Sequence, residues 1–330
     1  RGTVNEMSAR VGESWLEDRL DPLQKEFLEK AVAFYEGQTA DGGGSPAVRL
    51  EHAEMLRRMG NIYAKFDRRD EAESAYRKAL ELARPLAAAD PEARRVLAST
   101  QIRLAEALFL RDRFDEADAL FREAEARLRP AADAAGAKPD DLRLLARALR
   151  GEGQLLRRKG DLAAAAPAYA GARDLLEKAL AADPASPEVR GELARSLDLL
   201  GRLGREAGDT AAAEASARRA YELLDKLVAE YPTIPRYREN LHHACSELGR
   251  FAYDEGRFEE AAILWGRDWR EASRLADDYP DRPEYTLNLA SASSNYGGVL
   301  VDLARYSEAQ PILKKAIELD EGLAARSPDD

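Results

Sequence analysis

The chain has 330 residues, more than one compact core usually holds, with 45% hydrophobic, only 7% aromatic and 34% charged residues. That is the balance of amphipathic helices packed on one another, in several domains or in an elongated array. Its 50 Lys and Arg stand against 61 Asp and Glu, and a net charge of -11 argues against a general nucleic-acid or anionic-membrane binder, since both need a large positive field. The single cysteine, Cys245, excludes an internal disulfide framework, and no apolar run approaches a membrane span.

From the N-terminus, the pattern predicts a helical segment over residues 13–38 and then a flexible link, Asp41-Gly42-Gly43-Gly44-Ser45. Residues 1–45 are thereby set apart from 46–330. The opening Arg1 and the closing Pro328-Asp329-Asp330 read as cuts in a longer chain.

From Pro46 onward the prolines keep time. Pro46, Pro91, Pro139, Pro187, Pro235 and Pro283 lie 45, 48, 48, 48 and 48 residues apart. Fourteen residues after each comes Gly60, Ala105, Gly153, Gly201, Gly249 or Gly297, and twelve further on Ala72, Ala117, Ala165, Ala213, Ala261 or Ala309. A coincidence over six units is an internal repeat, and each unit reads as two helices. Ser45, Asp90 and Ser186 before their prolines are N-cap residues with proline at the first helical position. Pro184, Pro232 and Pro280 stop the preceding helix. The run Pro232-Thr233-Ile234-Pro235, which could pass for a polyproline ligand, therefore marks helix boundaries.

The first helix of the fourth unit presents an apolar stripe, Leu193, Leu197, Leu200 and Gly204, and the small residue lies beside it, where a bulky side chain would hold the next helix away. The second helix buries its alanine with the residue four on: Tyr76, Phe121, Tyr169, Ala217, Trp265 or Leu313. Neither helix hides its stripe alone, so the units must stack into a solenoid.

Leu-Gly-x-x-Tyr-like and Ala-x-x-x-Phe-like elements, seen as Met59-Gly60-Asn61-Ile62-Tyr63 and Ala72-Glu73-Ser74-Ala75-Tyr76, resemble the tetratricopeptide repeat over residues 46–326. A common unit is about 34 residues, so these units carry roughly two added turns per helix. The resemblance implies a right-handed all-α solenoid of six long helix pairs, non-catalytic, that binds a protein or peptide.

The junctions Pro184-Ala185-Ser186-Pro187-Glu188-Val189-Arg190 and Pro232-Thr233-Ile234-Pro235-Arg236-Tyr237-Arg238 are also similar to those in the C-terminal arrays of large bacterial receptor-like serine/threonine protein kinases. Residues 11–36, VGESWLEDRLDPLQKEFLEKAVAFYE, look like the link such kinases carry after their membrane helix. That likeness implies a sensory or interaction arm outside the cytoplasm, with the kinase domain preceding Arg1; this chain holds no kinase signature. The alternative is a stand-alone cytoplasmic scaffold or co-chaperone.

Catalytic, cofactor and metal chemistry finds no foothold. His242, His243 and Cys245 share a helix face but are too few for a zinc site. His242 fills the slot of Ala53, Ala98, Ala146, Ala194 and Ala290, which points to packing. Gly151-Glu152-Gly153 lies mid-helix without a preceding strand, unlike a dinucleotide loop. Asp268, between Trp265 and Trp269, replaces Ala79, Ala124, Ala172, Ala220 and Ala316, and is expected to pair with Arg267 or Arg270.

A partner's place is the first-helix face, since the first helices of stacked pairs line the concave side. There the third unit carries Arg147, Arg150, Gln154 and Arg157, and the fourth Arg195, Asp198, Arg202 and Arg205. Arg250 and Tyr253 continue this row in the fifth unit, beside His243. Guanidinium forks in a row suit carboxylate or phosphate on a protein or peptide, although arginine is also a good helix former on a solvated face. Arg57 and Asn61 resemble the base-and-asparagine pair of carboxylate-clamp tetratricopeptide domains, while Arg103 stands where that clamp has asparagine.

Overall fold

The structure, a computed structural model, describes residues 45–326 and Lys30. The helix expected over residues 13–38 and the link at 41–44 fall, Lys30 aside, outside the described residues. Among the described residues there are twelve helices and no strand, in six consecutive pairs. These are α1 (Pro46–Lys65) with α2 (Arg69–Ala83), α3 (Pro91–Phe109) with α4 (Phe114–Ala132), and α5 (Pro139–Arg158) with α6 (Leu162–Ala182). They continue as α7 (Pro187–Glu206) with α8 (Thr210–Glu230), α9 (Pro235–Asp254) with α10 (Phe258–Asp278), and α11 (Pro283–Asp302) with α12 (Tyr306–Arg326). The fold is an all-α solenoid. The chain divides into two compact units, Arg1–Val189 and Arg190–Asp330, with α1–α6 in the first and α7–α12 in the second, the opening turn of α7 lying at the division.

Each first helix begins at its periodic proline, whose missing N–H would have had no partner there. Ser45, Asp90 and Ser186 side chains accept the backbone N–H of Val48, Glu92 and Val189 at 3.5, 2.8 and 3.3 Å. Asp161 and Asp209 cap the second helices α6 and α8 in the same way, accepting from Ala164 and Ala212 at 3.0 and 3.2 Å.

The turn inside every pair is one motif repeated six times. Arg68, Arg113, Asp161, Asp209, Arg257 and Arg305 donate their N–H to the carbonyl five residues back, at 2.8–3.0 Å. The residue before each is left-handed: Asp67, Asp112, Gly160, Gly208, Gly256 and Ala304, with φ of 57, 56, 83, 81, 75 and 56°. This is the Schellman termination, which satisfies end carbonyls at the cost of one positive φ.

The small residue of each first helix is where the pair closes. A Cβ on Gly60 would come within 2.5 Å of the Tyr76 ring, on Gly153 within 2.6 Å of Tyr169, on Gly249 within 2.4 Å of Trp265 and on Gly297 within 2.5 Å of Leu313. Where the partner is the smaller Ala217, the nearest atom to a Cβ on Gly201 is a backbone oxygen of Ala213 at 3.3 Å. Gly151 explains the Gly-x-Gly sequence: its Cβ would lie 2.3 Å from Phe121 of the preceding pair, so the two glycines admit one ring from each side.

At the corners between pairs, Tyr231 packs on Tyr237 and Tyr279 on Tyr285, with ring centroids 6.1 and 5.7 Å apart. Arg190 grips Glu230 through two bonds of 2.9 and 2.7 Å, and Arg238 reaches Asp278 at 3.0 Å. The Pro-x-x-Pro-x-[Tyr/Val]-Arg junction is thus a packing device that ties the start of a first helix to the end of its own second helix.

Of the three turns that lack glycine, Ala304 has no polar side chain to ease a left-handed backbone. Ala304→Gly is therefore expected to stabilise the protein by about 1 kcal/mol, seen as a raised urea midpoint.

Candidate functional site

In the first unit α2 packs on α1 and α3, α4 on α3 and α5, and α6 on α5, while neighbouring first helices also touch, α1 on α3 and α3 on α5. The first helices are thereby drawn together on one side, and the polar residues on that side gather.

Arg57 of α1 lies 3.8 Å from Glu54, and the buried Asn61 side-chain oxygen accepts the Tyr76 hydroxyl at 2.8 Å. From α5, Arg147 grips Glu106 of α3 with both Nε and a terminal nitrogen at 2.7 Å, and Arg103 approaches the same carboxylate at 3.6 Å. Burial works to raise the Glu106 pKa, but Arg147, Arg103 and Arg150 overcome it and hold the carboxyl down at about 2. The Tyr76 hydroxyl, pushed up to about 12 by burial, feels the charges of Arg103, Glu106, Arg147 and Arg57, which places all of them in one neighbourhood. Arg150 is buried, at 4% exposure, and Gln154 and Arg157 are half-buried further along α5.

The second unit carries its own set. Arg195 and Arg250 are exposed. Arg202 bonds Asp198 at 3.1 Å along α7, and Arg205 reaches Glu247 of α9 at 3.4 Å. Burial raises the Asp198 pKa against the pull of Arg202. His243 presents an edge to solvent, yet the surrounding protein, with the nearby charges of His242 and Arg202, lowers its pKa to about 4. Tyr253 donates its hydroxyl to Asp302 at 2.9 Å, and its ring centroid lies 5.2 Å from those of Phe258 and Trp265.

The arginines anticipated as one row thus fall three in the first unit and four in the second, and Arg147 and Arg205 stand against carboxylates that sequence reasoning had not assigned, Glu106 and Glu247. Glu106 was within reach of that reasoning, because it follows Ala105 as Asn61 follows Gly60, on the same stripe.

One expectation is corrected. Asp268 pairs with neither Arg267 nor Arg270: it is bonded to Nδ1 of His242, with Ser246 beside it, and Arg267 turns instead to Asp225 and Glu271, each at 3.1 Å. His242 and Asp268 each occupy an alanine slot of the repeat, and those alanines are all buried in the other five pairs. The two departures face each other across α9 and α10, so they are one coupled exchange, of two alanines for a buried polar pair. Cys245, also buried, has its thiol pKa raised, chiefly by burial. Among the described residues no group of three or more His, Cys, Asp or Glu could hold a metal ion.

His242→Ala strands a buried carboxylate and is expected to cost about 3 kcal/mol or more, whereas His242→Ala with Asp268→Ala restores the pattern of the other pairs and recovers most of that loss in a double-mutant cycle. The His243 pKa is depressed on folding, so the unfolded chain takes up the proton first as pH falls. The stability His243 confers is held above about pH 6.5 and lost on the way down to about 4. Its imidazole resonance is expected to titrate near pH 4 by NMR, moving upward in Arg202→Gln.

Comparison with known proteins agrees with this architecture. The tetratricopeptide repeat family matches at residues 53–85 and 290–322. A search of the curated proteins finds no match. Among solved structures, the nuclear import adaptor Nro1 of S. pombe is similar with a TM-score of 0.65 at 16% identity, over 84% of this chain and 95% of that one. BtubC (BKLC) from P. vanneervenii superposes with a TM-score of 0.57 at 20% identity, over 76% and 90%. The Rap conjugation gene regulator of plasmid pLS20, solved with the Phr peptide, gives 0.50 at 14% identity, over 92% and 72%. At these identities the likeness concerns the fold alone. The family is matched in the first and sixth helix pairs, and the pairs between them are of the same build, two antiparallel helices in succession within an all-α solenoid.

Proposed function

We propose that this array is a non-catalytic scaffold whose first-helix faces dock a protein or peptide bearing carboxylate or other acidic groups. The observation that carries this reading is the gathering of Arg103, Arg147 and Arg150 about the carboxylate of Glu106, with Arg57 close by at the Tyr76 hydroxyl, in a chain whose net charge is -11. Guanidinium forks held by helices rather than loops are preorganised for planar anions. Neighbours of similar fold include an import adaptor and a regulator solved with a peptide. The Asn61 oxygen is already engaged by Tyr76, which speaks against the full carboxylate clamp of a co-chaperone. In its wider setting we read the array as the interaction arm of a membrane-anchored serine/threonine kinase. Its support is the junction sequence, and its check is whether the gene upstream of Arg1 encodes a membrane span and kinase motifs.

The docking reading is tested with a fluorescein-labelled octaglutamate peptide in low salt. The unaltered protein is expected to bind it, and the pair Arg150→Gln with Arg157→Gln to bind about tenfold more weakly at unchanged helicity. Equal affinity in the two proteins would remove Arg150 and Arg157 from the docking face.

A further inference from the structure

Glu106 stands apart among the residues of the first-helix face. The position after the small residue is Asn61, Glu106, Gln154, Arg202, Arg250 and Gly298 along the six first helices, so only α3 places an acid there. Its carboxylate is bound across the helix boundary: Arg147 of α5 holds both oxygens at 2.7 Å, and Arg103 adds a contact at 3.6 Å. A guanidinium fork engaged by Nε and a terminal nitrogen presents that edge to one carboxylate at a time. The Glu106 side chain keeps 33% of its surface in solvent, against 13% for Arg147, so the acid can swing away while the arginine stays set in the wall.

We infer that Glu106 is a resident competitor: its carboxylate occupies the place on Arg147 that an acidic group of the partner takes, and binding requires its displacement. This rests on the docking reading above and sharpens it. A peptide with one acid exchanges one carboxylate for another and gains little. A peptide with several closely spaced acids replaces Glu106 and also meets the neighbouring guanidinium groups of Arg57 and Arg103, with the charge of the buried Arg150 behind them. The competitor thereby selects acidic runs over isolated acids, a specificity obtained by raising the cost of the wrong ligand.

The experiment compares two labelled eight-residue peptides, octaglutamate and a Gly-Ser peptide with a single central glutamate, on the full chain and three variants. Glu106→Gln keeps the shape and removes the charge, and is expected to bind octaglutamate about tenfold more tightly and to bring the single-acid peptide into measurable range. Glu106→Asp withdraws the carboxylate by one methylene and keeps the charge; a gain of several-fold is expected, and this variant carries the test if Glu106→Gln loses helicity. Glu81→Gln removes the same charge at an exposed site on α2, and its affinities are expected to stay within about twofold of the unaltered protein. If Glu106→Gln binds no more tightly than the unaltered protein while Arg150→Gln with Arg157→Gln weakens binding, the competitor is refuted and the docking face stands. An equal gain in Glu81→Gln refutes it as well, since net charge then explains the effect. If neither the unaltered protein nor Glu106→Gln binds octaglutamate, the docking face itself falls, and this inference with it.

Discussion

Everything in this fold depends on how closely two helices of a pair can approach. The approach is set where a missing side chain on one helix meets a large one on the other: Gly60 with Tyr76, Gly153 with Tyr169, Gly249 with Trp265, Gly297 with Leu313. A methyl group at any of these glycines would sit inside the opposing group, and cores do not absorb such overlap without moving backbone. Because the contact recurs with the repeat, pair after pair closes at that same point, and in the first unit α1, α3 and α5 are brought side by side. The polar residues they carry then act together, which a single amphipathic helix in water could not arrange.

The charge distribution follows from the same geometry. Acids outnumber bases overall, and many acids are spent on the outer surface in ion-pair networks that link second helices. Glu73 bonds Arg77 and Arg113, with Glu116 completing the set; three helix pairs later Glu214, Arg218, Arg257 and Glu260 repeat it. Surface pairs of this kind are worth little singly. On the first helices the acids stand among the arginines instead, as Glu106 does beside Arg103, Arg147 and Arg150.

The sequence made the architecture legible because each repeat constraint is local. A proline sets a helix start, a small residue fourteen positions on sets a contact, and an alanine twelve further on sets the next, so periodicity alone reveals the pairs. The site was legible only in part. Arg147 and Arg150 could be placed on a face by counting, yet the partner of Arg147, Glu106, is on another helix 41 residues away. Register between helices is decided by packing and not by spacing along the chain. His242 and Asp268 show the same limit: each was visible as a departure from alanine, but the tie between them, and the release of Arg267 to Asp225 and Glu271, required the two helices to be laid together.

The Schellman turns have a further bearing on how the array comes apart. Glycine takes the left-handed position in the third, fourth and fifth pairs, while the first, second and sixth hold Asp67, Asp112 and Ala304 there. In an array whose stability is a sum over repeats and their interfaces, a non-glycine residue held left-handed lowers the cost of opening its own hairpin relative to one turned by glycine. The hairpins turned by glycine, where Arg150, Arg202 and His243 reside, are then the last to surrender their shape.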